Sequence, residues 1–426
     1  MNIESFLIFA SSTFMMVGTY FIWFSRYNIP NHLVLGSLFV AYLVPVFLTN
    51  VLTRFPPEIV TQYAYILAVG SVFYVVGLVF GNFYIPVRRI IKVPPFFHES
   101  LEVFLLHRYR FLIGAASLAL VTMALCWVSM GMVPMFAADP FAAKFFKGEY
   151  FDAYMRVAIP YRLAQTVQIT LFPILVALWF VTRKKLLLVV VIMIMLFFAL
   201  ALNRGLVFYG LFMLMALYAA KKRSYLFWFI IAHITIISVG SAIYYLAAVF
   251  FGADVFGVIG VANSDVWQIL ADGSPDIVDQ LTLLQTFENH GTYTLGRTFY
   301  GGLIPGQYYW NPSAWSLYIS NNTDDISEVT SGGFRVPVAL WGYFSFGWIG
   351  VMIVPFMSGV ILGAATKFTK YFVSHKNILT SILALTFYTV VLAFFWNFYI
   401  MSMYAVPACV LIVLVLYRIK LRSASR

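Results

Sequence analysis

Arginines are the residues of this sequence best suited to chemistry. Arg204 stands in Asn203-Arg204-Gly205 between two apolar runs, Arg297 and Arg335 in a long polar segment, and Arg156 and Arg162 in a shorter one. A guanidinium stays charged and makes bidentate hydrogen bonds to phosphate oxygens. A charge wedged between apolar runs either snorkels to headgroups or has a functional reason to be there. Arg204, Arg297 and Arg335 are therefore candidate phosphate ligands. Arg156 and Arg162 flank an aromatic stretch and suit lipid or substrate contacts. His290 can accept a proton near neutral pH, and Glu288 lies two residues before it. Asp324, Asp325 and Glu328 are further possible bases. Tyr308, Tyr309, Trp310, Trp315 and Tyr318 could stack on sugar faces or anchor the chain at an interface.

Other chemistry is missing from the pattern. The sequence has no GxxxxGK[ST], HExxH, GxSxG or strand-following GxGxxG motif, and its histidines and cysteines do not cluster. Cys126 and Cys409 each lie inside an apolar run and read as packing residues. The expectation is a chain that needs no metal and no cofactor.

The elements that must position these residues are membrane spans. Of 426 residues, 62% are hydrophobic and 10% charged, with a mean hydropathy of +0.89. A soluble fold carries about 25% charged residues. A soluble enzyme, a disordered regulator and a fibre are excluded. Eleven apolar runs are candidate spans: Ser5–Phe24, Leu33–Leu52, Gln62–Ile85, Phe111–Phe136, Thr166–Thr182, Leu186–Asn203, Gly205–Ala220, Tyr225–Phe251, Val336–Ala364, Asn377–Phe398 and Met401–Tyr417. Spans that are apolar throughout must be helices, since an isolated strand leaves its backbone unpaired in lipid. The first run lacks a basic leader and should remain as a span. The expected fold is an all-α polytopic membrane protein, one transmembrane domain over residues 1–426. His233, inside one run, reads as a packing residue.

The net charge of +11 reads as topology, with no nucleic-acid partner implied. Nineteen of the 27 basic residues fall in one set of alternate connections. Arg54, Lys144, Lys147, Arg156, Arg162, Arg204, Arg297 and Arg335 fall in the other. The richer set should be cytoplasmic, with the N-terminus outside. Glu99 and Glu102 are then the only acidic residues inside. Two outer loops are large, 137–165 and 252–335. In the first, Phe141, Phe145, Phe146, Tyr150, Phe151 and Tyr154 recur with roughly helical spacing, as in a helix lying among headgroups. In the second, Ser274, Pro275 and Asp276 start a helix that Gly291 stops. Its stripe is Ile277, Leu281, Leu284 and Phe287, with Asp276, Asp279, Gln280 and Glu288 off the stripe.

Local sequences carry a resemblance. They are Leu202-Asn203-Arg204-Gly205 between two spans, Leu295-Gly296-Arg297-Thr298 before Leu303-Ile304-Pro305, and Gly333-Phe334-Arg335-Val336-Pro337 before the Gly-rich span at Trp341–Gly350. With one dominant late outer loop, the chain resembles the Wzy-type O-antigen (oligosaccharide repeat unit) polymerases of bacterial inner membranes. The resemblance implies a GT-C-like glycosyltransferase with its active site facing the periplasm, although the eleven spans counted here depart from that family's usual even number. It implies transfer of a growing glycan from one undecaprenyl-diphosphate carrier to a second carrier-linked repeat unit. It also implies a chain-length regulator protein as a partner. Arg204, Arg297 and Arg335 would hold the diphosphate. The related ligases place a histidine in the large loop, where His290 stands. An O-antigen ligase is the nearest alternative. A lipid-linked oligosaccharide flippase would show two similar halves and charges within its spans.

The charge asymmetry makes a direct expectation. Alkaline phosphatase fused near Ser320 should be active, and a fluorescent protein that folds only in the cytoplasm should be dark there. The reverse pattern would overturn the orientation.

Overall fold

The computed structural model describes residues 2–86, 97–250, 266–272, 276–304, 306–327, 329, 332–374 and 378–395. The side chains of several, Arg204 among them, lie outside that description. Every element among the described residues that is more than a turn or bend is helical. The main helices are α1 (Ile3–Val17), α2 (Ile29–Leu38), α3 (Pro57–Tyr84), α4 (Phe97–Met130), α5 (Ala158–Thr182), α6 (Lys185–Leu200), α7 (Tyr209–Lys221), α8 (Arg223–Phe250), α9 (Asp276–His290), α10 (Pro312–Asn321), α11 (Val338–Ser374) and α12 (Ile378–Phe395).

Ten of the eleven apolar runs fall on these helices; Met401–Tyr417 lies outside the described residues. Among the described residues, six helical stretches are long and apolar enough to cross a bilayer, and four shorter apolar helices accompany them. Val72, Val76, Val79 and Phe83 of α3 stand exposed at helical spacing, as do Leu118, Val121, Leu125 and Val128 of α4. Outward apolar stripes of this kind fit a hydrocarbon solvent. The protein is an α-helical membrane protein.

The centre of the structure is the contact between α3 and α11. A methyl added at Gly77 or Gly81 would overlap the carbonyls of Phe356 and Val360, and one at Gly359 or Gly363 would overlap those of Tyr74 and Leu78. Small residues at such a seam let two backbones approach, which is how helices gain van der Waals contact in lipid. The two helices run parallel here. At one end Lys367 donates to the Ile85 carbonyl at 2.9 Å and Lys370 to the Ile22 carbonyl at 2.7 Å. Those lysines satisfy carbonyls that the ends of two helical segments leave free.

The run Val336–Ala364 is one span in sequence but two helices in the structure. α11 has 37 residues, with non-helical backbone at Phe346 (φ −140°, ψ 20°) and Gly347 (φ 61°, ψ −146°). Only glycine adopts the Gly347 conformation without strain. The chain folds back there. A methyl at Gly350 would overlap the carbonyl oxygen of Gly342, although in a straight helix the two lie about 12 Å apart. Likewise Gly70 of α3 meets both Ala339 and Pro355. A short arm, Val338 to Phe346, thus runs antiparallel to the long arm and to α3. Its residues Val338 to Ser345 are all buried. The carbonyls freed at the reversal are taken up by the Thr294 N–H to Phe344 at 2.9 Å and the Leu295 N–H to Ser345 at 3.2 Å.

The loop 137–165 departs from the single headgroup-layer helix of the sequence reading. It forms three short turns, Pro140–Phe145, Gly148–Tyr150 and Phe151–Met155, broken at Phe146 with φ 55°. Phe146 is 3% exposed and stacks on Tyr154 at 4.0 Å. Its aromatic face therefore packs on protein. Lys147, 5% exposed, donates to the Ile326 carbonyl at 2.5 Å, and Gly148 N–H bonds Ser327. The two large loops are tied together.

Gly77→Leu should force α3 and α11 apart. Overpacking of this kind costs about 1–3 kcal/mol. The detergent-solubilised variant should lose several degrees of apparent melting temperature by fluorescence-detected size exclusion. Gly114→Ala, where a methyl meets open space, should match the unaltered protein. Equal melting of both would remove the seam from its central role.

Candidate functional site

α9 carries the polar residues that matter most. Ile277, Leu281, Leu284 and Phe287 are all at most 5% exposed, so the expected stripe is present. The expected cap at Ser274 and Pro275 lies outside the described residues. Two residues assigned away from the stripe are buried instead: Gln280 at 0% and Asp276 at 5%. Gln280 is held on three sides. It accepts from the Tyr63 hydroxyl, donates to the Tyr42 hydroxyl at 3.2 Å and donates to the Arg335 carbonyl at 2.7 Å. It ties α9 to α3, to the π turn that continues α2 (Phe39–Leu43), and to the segment entering α11.

At the first turn of α9, Asp276 pairs with Arg335 at 3.8 Å. The Arg335 side chain is 66% exposed, so its guanidinium keeps an open side. Three residues on, burial and the neighbouring Asp276 charge push the Asp279 carboxyl up to about 7, against the opposing pull of Arg335. A carboxyl titrating near neutral pH can hold or release a proton under cellular conditions.

At the last turn Glu288 stands exposed, yet it is fixed through one oxygen. Glu288 Oε1 accepts from the Tyr343 hydroxyl at 2.8 Å and from Gln62 Nε2 at 2.8 Å. Gln62 Nε2 also donates to the Tyr343 hydroxyl at 2.7 Å. Three elements meet there: α3, α9 and the short arm of α11. Tyr293, Phe346 and Trp348, between 44% and 53% exposed, ring the same corner. Tyr293 and Trp348 contact the Tyr343 ring at 6.4 and 5.8 Å.

The candidate residues therefore separate. Glu288 and His290 share one end of α9, where His290 is exposed at the final residue. Arg297 follows two residues after Leu295, which is bonded to the reversal, and its guanidinium lies over Trp310 at 5.0 Å. Arg335 lies at the opposite end of α9, about 18 Å from Glu288 along the axis. Arg162 donates to the Tyr154 hydroxyl at 2.7 Å and to Gln165 at 3.2 Å. Arg156 is exposed beside it. Arg204 opens the turn Arg204–Val207 after the break at Leu202 (φ 55°), and its side chain lies outside the described residues, as does Glu328. Asp325 accepts from Ser327 N–H at 2.8 Å, which lowers its carboxyl. Trp315 is 1% exposed and cannot face a ligand, whereas Tyr308 and Tyr309 can. His233 bonds the Leu33 carbonyl at 3.0 Å and stacks on Phe229, a packing role. Among the described residues no group of three or more His, Cys, Asp or Glu could hold a metal ion.

Sequence reasoning missed Gln62, Tyr343 and Gln280. Gln280 had a signal: it sits three residues after Ile277 and four before Leu284, inside the stripe. Gln62 and Tyr343 had none, because their roles come from a reversal that hydropathy does not mark.

Comparison with protein-family models, with curated protein sequences and with solved structures finds no match to this chain.

The Asp279 carboxyl sets a pH dependence. A raised folded-state value means the folded protein binds that proton more tightly than the unfolded chain. Between the ordinary 3.8 and about 7 stability therefore falls as pH rises, and the loss is complete above that window. The apparent melting temperature should drop from pH 5 to pH 8 by the equivalent of about 2–3 kcal/mol. Asp279→Asn should flatten most of that slope. An unchanged slope would mean that Asp279 is solvated.

Proposed function

We propose that the chain is a polyprenyl-diphosphate-dependent glycosyltransferase of the membrane that polymerises oligosaccharide repeat units at the periplasmic face of a bacterial inner membrane. The observation that carries this reading is Glu288: a carboxylate exposed beside membrane-scale helices, held through one oxygen and open at the other. The local sequences around Arg204, Arg297 and Arg335 add the resemblance to the polymerases described above.

The step balances with these residues. A hydroxyl of the acceptor sugar attacks the anomeric carbon of the donor glycan. The bond from that carbon to the diphosphate oxygen breaks, and undecaprenyl diphosphate leaves with the electron pair. Glu288 takes the hydroxyl proton as general base. Arginines stabilise the charge gathering on the leaving diphosphate. Both substrates carry a diphosphate. Arg297, near the Glu288 corner, and Arg335, at the far end of α9, are then suited to different carriers, with Arg204 as a further contact. His290 is the alternative base, and Arg156 and Arg162 serve lipid or substrate contacts.

One observation favours a second reading. Helices broken within the membrane frame transporter sites, and α11 is broken at Phe346–Gly347. Deletion of the gene followed by lipopolysaccharide electrophoresis separates the readings. A ladder reduced to core plus one repeat supports the polymerase. Loss of all repeats from the core supports a ligase or flippase.

Arg204→Ala, Arg297→Ala and Arg335→Ala should each shorten or abolish the ladder in complemented deletion cells at matched protein levels. Removing one charge-assisted contact to the charge that develops in the transition state costs roughly 10²–10³ in rate. Lysine should rescue in part, since it keeps the charge and loses the fork. Normal ladders from all three alanine variants would remove the arginines from the mechanism.

A further inference from the structure

We infer that Gln62 and Tyr343 are positioning residues for the Glu288 carboxylate, fixing Oε1 so that Oε2 faces the acceptor hydroxyl. The inference rests on the reading of Glu288 as the general base.

The donor inventory fixes the direction of every bond in the triangle. Tyr343 has one hydroxyl proton, and it goes to Glu288 Oε1 at 2.8 Å. The Gln62 amide has two, one to Glu288 Oε1 at 2.8 Å and one to the Tyr343 oxygen at 2.7 Å. Both donors to the carboxylate use the same oxygen. Glu288 Oε2 has no protein partner among the described residues. A base with one oxygen pinned and the other free has a defined direction for accepting a proton.

Solvation alone does not require this arrangement. Glu288 is exposed, so water could satisfy both oxygens. Freezing a glutamate side chain at the surface loses rotamer freedom. The triangle opposes that loss from a prepared frame. Tyr343 is 5% exposed and packed against Phe287 and Trp348. Gln62 sits in the second turn of α3. Each of the three residues belongs to a different helix, so the carboxylate is located by the tertiary fold and not by α9 alone. A base misplaced by a fraction of an ångström loses rate without losing substrate.

The test is polymer formation by the purified full-length protein in nanodiscs. The substrate is the undecaprenyl-diphosphate-linked repeat units extracted from the gene-deleted strain. Tyr343→Phe and Gln62→Leu should each lower kcat about tenfold with KM little changed. In the Glu288→Gln background, itself strongly impaired, neither should cause a further loss, because positioning residues act through the group they hold. A residue that only supports the fold would add its loss in that background too and would lower the melting temperature. If Glu288→Gln is impaired while Tyr343→Phe and Gln62→Leu run at the unaltered rate, the inference alone is overturned. Additive losses in the double variants overturn it as well. Full activity of Glu288→Gln overturns the base and the positioning together. Failure of the unaltered protein to polymerise the extract overturns the polymerase reading and the inference with it.

Discussion

The reversal of α11 at Phe346–Gly347 is the constraint on which the site depends. A straight helix of 37 residues would run about 55 Å, well beyond a bilayer core of about 30 Å. The fold-back converts that excess into a short buried arm. Three glycines make it possible: Gly347 by its backbone angles, Gly342 and Gly350 by leaving room for crossing backbones. Non-helical backbone among apolar helices survives only when its polar groups find protein partners. Thr294 and Leu295 supply those partners from the segment after α9. The reversal therefore fixes the end of α9 and the short arm in one corner, and Glu288 meets Tyr343 there.

The glycine seam between α3 and the long arm gives the corner its third side. Backbones this close allow little sliding, because each carbonyl sits over a missing methyl. Gln62 is carried on the same helix as that seam, a few turns away. Gln280 then sets the tilt of α9 by bonding α3, the π turn after α2 and the Arg335 carbonyl together. A buried amide with both ends satisfied specifies one packing of three segments, where an apolar side chain would accept several.

Much of this was legible in sequence at the level of helices and little at the level of the site. Ten apolar runs mark ten helical regions, and Ile277, Leu281, Leu284 and Phe287 mark the buried side of α9. Glu288 and the arginines stand out because charge is scarce. The fold-back was not legible, since Val336–Ala364 is uniformly apolar and a hydropathy run carries no direction. The loop 137–165 failed for a related reason. Its spacing is helical, but Phe146 adopts a left-handed conformation and the aromatic side turns onto protein. Periodicity reports that a face is buried without reporting what buries it.

In the proposed reaction, the separation along α9 bears on how one helix could serve two lipid-linked substrates. A diphosphate spans only a few ångströms, so in the proposed reaction one held by Arg335 lies too far from Glu288, about 18 Å along the axis, to be the group that leaves there. Arg335 is partly neutralised by Asp276, and Asp279 beside them titrates near 7. An anion arriving at Arg335 would compete with Asp276, whose carboxylate lies near that of Asp279. Two adjacent carboxylates favour uptake of a proton by one of them. Charge at that end of α9 can thus be rebalanced by a proton without moving the helix. At the other end Glu288 is held through Oε1 by Gln62 and Tyr343. In the proposed reaction the two ends of α9 carry two kinds of work, anion capture at the first turn and proton removal at the last. The helix itself keeps them at a fixed distance, and Gln280 holds that helix against α3.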